Sequence, residues 1–106
     1  AEAAIDWTQP APAIERRLRA FDPFPGASSE YGGETLKVWR AQALPGGGAE
    51  PGTVVQAGAA GLDVATGDGT LRLLEMQRPG GKRLAAADLL RGMAITPATR
   101  FAGVAR

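Results

Sequence analysis

The charged residues of this chain divide almost evenly, 12 Lys and Arg against 11 Asp and Glu. The 106 residues contain no histidine and no cysteine. The commonest general base and metal ligand is therefore missing, and nucleophile–histidine pairs cannot be assembled. Disulfides and thiolate metal sites are excluded as well. The carboxylates Glu2, Asp6, Glu30, Glu34, Glu50, Asp63, Glu75 and Asp88 show no paired spacing around a glycine-rich or aromatic cleft, so they do not suggest a two-carboxylate hydrolase. Gly67-Asp68-Gly69 lacks the Lys-Ser/Thr of a phosphate-binding loop and precedes a strand-like run, so it reads as a hairpin turn with Asp68 as turn former.

The cations are unevenly spread. Net charge is +1, but residues 1–53 hold five basic and seven acidic residues, and residues 54–106 hold seven basic and four acidic. Arg72, Arg78, Lys82, Arg83 and Arg91 fall close together in sequence, so a local basic patch can sit on a near-neutral domain. Gly80-Gly81-Lys82-Arg83 is a flexible loop with two adjacent cations. It suits a clamp on phosphates, and equally a solvated loop beside a helix. Lys37 and Arg40 flank Trp39 on the best-defined strand. Strict alternation puts Lys37 with Trp39, and Leu36 with Val38 and Arg40, so no single basic face results. Trp39 is expected in the core rather than as a stacking platform. Arg16, Arg17 and Arg19 read as the solvated face of a helix, with Glu15 and Arg19 paired at i, i+4.

The elements that must position these residues can be read from the punctuation. Ala1 to Ile5 read as the end of a linker, with one domain following. Thr8 is the expected cap of a first helix, with Pro10 and Pro12 in its opening turn. Ile14, Leu18 and Phe21 make its apolar stripe, and Asp22-Pro23 and Pro25-Gly26 end it. Strands are expected at residues 27–31, 35–43, 53–57, 62–66 and 70–77, with turns at Gly32-Gly33 and Gly67-Asp68-Gly69. About five closely spaced strands favour a small barrel over a sandwich. A short helix over 84–91 follows, with Gly92 as its expected left-handed stop. Val104 is expected to add packing near the end. No basic stretch precedes an apolar one near Ala1, and no apolar run approaches a membrane span.

Several blocks resemble the C-terminal domain of the methionyl-tRNA formyltransferase family. They are Ile5-Asp6-Trp7-Thr8, Ile14-Glu15-Arg16, Arg19 through Ala27, and Leu36-Lys37-Val38-Trp39-Arg40-Ala41. Val64 through Gly69 with Leu71 to Leu74 follows, and then Gly80-Gly81-Lys82-Arg83 with Ala87-Asp88-Leu89-Leu90 and Gly92. They recur in order across nearly the whole chain, whereas residues 94–106 match least.

The resemblance implies a mainly β fold, a small five-stranded OB-like barrel with an N-terminal helix and a short C-terminal one. It implies a cytoplasmic, non-catalytic domain that contacts initiator Met-tRNA through the phosphate backbone. The Asn-His-Asp set and the 10-formyltetrahydrofolate site would belong to a missing N-terminal domain, since this sequence has neither His nor Asn. The domain itself would hold no cofactor and no metal. The candidate tRNA-binding residues are Lys82, Arg83, Lys37, Arg40 and Arg72. Related barrels follow the formyltransferase domains of 10-formyltetrahydrofolate dehydrogenases and sugar-nucleotide formyltransferases. That role, or a stand-alone RNA-binding module, is the alternative.

Overall fold

Glycines set the hairpins of this fold, and alternation sets what the strands bury. The computed structural model describes residues 3–21 and 27–101. In chain order the elements are β1 (Ala3–Ala4), α1 (Ala11–Phe21), β2 (Ala27–Tyr31), β3 (Glu34–Leu44), β4 (Val54–Gly58) and β5 (Gly61–Ala65). β6 (Thr70–Gln77), β7 (Arg83–Ala85) and α2 (Ala86–Gly92) complete them. Gly32 and Gly33 both have positive φ, 60° and 87°, as a two-residue turn matching the strand twist requires. The five expected strands are all present, and the fold is mainly β.

Two further strands were not legible. Ala3–Ala4 pairs in parallel with β2, and Ile5 beyond it is buried, so residues that read as linker join the sheet. Arg83–Ala85 pairs with β6 before the second helix begins. The first helix also starts later than Thr8. Thr8 instead donates its hydroxyl and its backbone N–H to the Asp6 carboxylate, closing a turn, and α1 opens at Ala11 behind Pro10. Gly92 is the last helical residue rather than a left-handed stop, and the chain leaves α2 through an extended Met93. Asp22 to Gly26 and Val104 lie outside the described residues.

The sheet order is β1-β2-β3-β6-β5-β4, and β7 extends the edge of β6 beyond β5. Apart from β1, every pairing is antiparallel. The ladder is not closed into a barrel among the described residues. The seam is covered by the segment after α2. Val54 donates its N–H to Thr99 O, and Ala98 and Phe101 donate theirs to Val54 O and Gly52 O, along the β4 edge. From there the Phe101 ring reaches Trp7 and Tyr31, at centroid distances of 5.4 and 5.3 Å, while the Tyr31 hydroxyl donates to Thr99 Oγ1.

The core under this cover is Trp7, Leu36, Val38, Leu62, Val64, Leu71, Leu73 and Met76, with Ile14 and Leu18 from α1 and Leu89 from α2. Each fully buried side chain of this size contributes about 1.5–3 kcal/mol. The Gly67-Asp68-Gly69 turn serves this packing. Gly67 donates to the Trp7 and Gln9 carbonyls, and Asp68 O accepts the first amide of α1 from Ala11. A Cβ at Gly67 would collide with the Thr8 carbonyl.

Candidate nucleic-acid interface

A bulge decides which face Arg40 of β3 occupies. Val38 lies opposite Met76 and Ala41 opposite Leu73, all four facing or packing on the core. Two residues, Trp39 and Arg40, therefore stand between inward positions that would otherwise enclose one. The register shifts on both sides of Arg40. Such a bulge turns consecutive side chains to the same side. The expected alternation of Trp39 and Arg40 is thus broken: Arg40 joins Trp39 on the outer face, where Trp39 is half-buried rather than in the core.

Around Trp39 the candidate cations converge. Its Nε1 donates to Gln77 Oε1 at 2.9 Å, which fixes the ring. The Arg83 guanidinium lies over the indole at 4.6 Å from the centroid, and Lys37 Nζ at 5.4 Å. Glu75 links Arg83 to Arg40, accepting from Arg83 Nε at 2.9 Å and from Arg40 Nη1 at 3.3 Å. Burial pushes the Glu75 carboxyl up, but hydrogen bonds from Arg83 and Arg40, and their charges, outweigh it and hold it below its ordinary value. Lys82 is exposed, one residue before β7, on a loop held by Gln77 Nε2 donating to Gly81 O. From α1, the Glu15–Arg19 pair at 2.8 Å borders a hollow shared with Leu18, Trp39, Arg40 and Ala41.

Other cations of the sequence cluster go elsewhere. Arg72 makes a two-pronged bond to Asp63, Nε to Oδ1 at 2.8 Å and Nη2 to Oδ2 at 3.1 Å. Asp63 is buried, and the bare backbone of Gly61 leaves room for the Arg72 stem. Arg78 makes a two-pronged bond to Glu34, at 3.0 and 2.6 Å, and donates to Gly92 O, so it staples the loop after β6 to both β3 and the end of α2. Arg91 pairs with Asp88 on α2. Proximity in sequence therefore does not make one patch of these residues. The patch is assembled by register, from Lys37, Arg40 and Arg83 with Lys82 beside them. Trp39 and Glu75, both overlooked as site residues, organise it. Only the bulge and the β3–β6 register bring them together, and no sequence signal marks either.

A curled antiparallel sheet flanked by two helices, with cations gathered on its outer face, defines the class of domain. The chain belongs to the formyl transferase C-terminal domain family, whose model matches residues 1–94. It is 55% identical over 102 residues to a methionyl-tRNA formyltransferase of Variovorax paradoxus, covering 94% of this chain and 32% of that protein. It is 61% identical over 90 residues to the Methylibium petroleiphilum methionyl-tRNA formyltransferase, covering 85% of this chain and 28% of that protein. The chain thus spans about a third of the length of the curated relatives it matches. Among solved structures, HypX from Aquifex aeolicus in complex with tetrahydrofolic acid is similar, with a TM-score of 0.68 and 26% identity over 82% of this chain and 16% of HypX. No helix among the described residues is long and apolar enough to cross a membrane.

Proposed function

We propose that this chain is the tRNA-holding domain of a methionyl-tRNA formyltransferase, a cytoplasmic enzyme of translation initiation. Its N-terminal partner domain would transfer the formyl group from 10-formyltetrahydrofolate to initiator Met-tRNA. The observation that carries the reading is the gathering of Lys37, Arg40 and Arg83 around Trp39, with Lys82 adjacent, on one outer face. Such a surface holds phosphates without reading bases. Arg72, the fifth candidate, has its guanidinium committed to Asp63 and contributes to the fold instead.

The test is fluorescence anisotropy with labelled tRNA across a salt series. With three or four phosphates engaged, log affinity falls against log salt with a slope of about −3. Initiator and elongator tRNAs bind equally. Salt-independent binding overturns the reading. The likeness to HypX supports a second one, a barrel serving another folate-dependent formyltransferase through contacts with its own domains. Absence of tRNA binding at the lowest workable salt would select it. In either case the chain binds no folate by itself, which titration calorimetry with a tetrahydrofolate analogue checks.

A further inference from the structure

An acidic residue in the middle of a phosphate-binding surface should weaken it, yet Glu75 occupies the centre of this one. It lies on β6, directly opposite Arg40 in the register. Both of its oxygens are used: Oε1 accepts from Arg83 and Oε2 from Arg40. Its side chain is 31% exposed, against 59% for Arg40 and 41% for Arg83. Glu75 is therefore the least exposed of the three side chains, bound to two arginines that are each more open to solvent. Arg83 is held from a second direction by the Trp39 ring, itself pinned through Gln77.

Long cationic side chains lose rotamer freedom when they close on a phosphate, and that loss subtracts from affinity. A carboxylate that fixes two guanidinium groups beforehand removes part of the loss, at the expense of one unit of positive charge on the surface. We propose that Glu75 is a positioning residue for nucleic-acid phosphates, one that strengthens tRNA binding by ordering Arg40 and Arg83. This inference rests on the tRNA-holding reading above. It opposes simple charge counting: removing the Glu75 charge raises the net charge from +1 to +2, which by attraction alone tightens binding to a polyanion.

The experiment measures anisotropy with fluorescein-labelled tRNA for the wild-type chain, Glu75→Ala, Glu75→Gln and Arg83→Ala, at fixed low salt and across a salt series. Glu75→Ala is expected to weaken binding about threefold to tenfold, the scale of ordering one or two side chains. Glu75→Gln, with one amide oxygen still able to accept, falls between Ala and wild type, and its circular dichroism and melting match wild type. The salt slope stays that of wild type for both Glu75 variants, because the same phosphates are engaged, and flattens for Arg83→Ala. Binding by either Glu75 variant that equals or exceeds wild type overturns the inference. If Arg83→Ala then still weakens binding, the tRNA reading of this face survives alone. If Arg83→Ala is also without effect, both fall.

Discussion

Trp7 and Trp39 both donate the indole N–H to a side-chain oxygen at 2.9 Å, to Ser29 and Gln77 respectively. Trp7 is sealed completely, with Phe101 against its ring, whereas Trp39 lies half-buried on the outer face among cations. A parallel difference separates the two acidic anchors of β5 and β6. Asp63 is buried and paired with Arg72, while Glu75 is partly exposed and shared by two arginines. Residue type does not distinguish these regions. Side-chain phase does, and on β3 that phase is set by the bulge at Trp39 and Arg40. One region spends its aromatic and its ion pair on holding the sheet together, and the other spends them on arranging a surface.

If that division is right, variants should separate cleanly between stability and binding. The largest effect is expected from Phe101→Ala, which removes the ring covering Trp7 and Tyr31 at the sheet seam. It should cost about 3–5 kcal/mol in denaturant unfolding, which for a domain of this size amounts to a large share of its stability. Next comes Asp63→Ala, which leaves Arg72 half-buried without its partner. Stability should fall, by less than for a fully buried pair because Arg72 reaches solvent. The tRNA affinity of the folded fraction should be unchanged, and an affinity loss at constant stability would move this pair into the binding region.

On the other side, Lys82→Ala with Arg83→Ala should weaken tRNA binding about tenfold or more at about 50 mM salt, with melting shifted little. Lys37→Ala with Arg40→Ala was expected from simple alternation to matter less, one side chain facing away. The bulge brings Arg40 to the outer face with Lys37, so the two double variants should now be comparable. A large gap between them, read in the same titration, would show that only one end of the patch touches phosphate.

The smallest effect is that of pH on stability. A hydrogen bond from Arg78 and its charge hold Glu34 below its ordinary value, and Glu75 is lowered on balance by Arg83 and Arg40. Groups depressed in the folded state stabilise it above their unfolded pKa, and that stabilisation disappears as pH falls through the folded value. Melting should therefore be level from about pH 8 to about 5.5 and decline below about pH 4. Arg78→Ala should flatten the decline, and an unchanged acid limb would mean that the Glu34 contact is too solvated to matter.

The legible part of the fold was the part written in turn chemistry. Gly32-Gly33 and Gly67-Asp68-Gly69 located two hairpins because tight turns need glycine or a turn former there. The family blocks placed the cations that the site brings together. Two-residue β1 and three-residue β7 escaped notice because strands so short carry no periodicity, and their pairing comes from β2 and β6. The Thr8 cap failed because Asp6, two residues upstream, offered a stronger acceptor and Pro10 delayed the helix. Trp39 was assigned to the core although alternation from the buried Leu36 and Val38 already turns it outward, and the bulge then brings Arg40 to the same side.

The seam has a consequence for how the molecule comes into being. Tyr31 and Thr99 are 68 positions apart, and the ring that covers Trp7 belongs to Phe101, beyond residue 94 where the match to the family model ends. A chain growing from its N-terminus produces the pocket for that ring long before the ring exists. Until Phe101 packs, the Trp7 ring lacks one of its covers. Domains dominated by such sequence-distant pairings fold more slowly than those built from local contacts. Completion of the cover over Trp7 thus waits on the segment that carries Phe101.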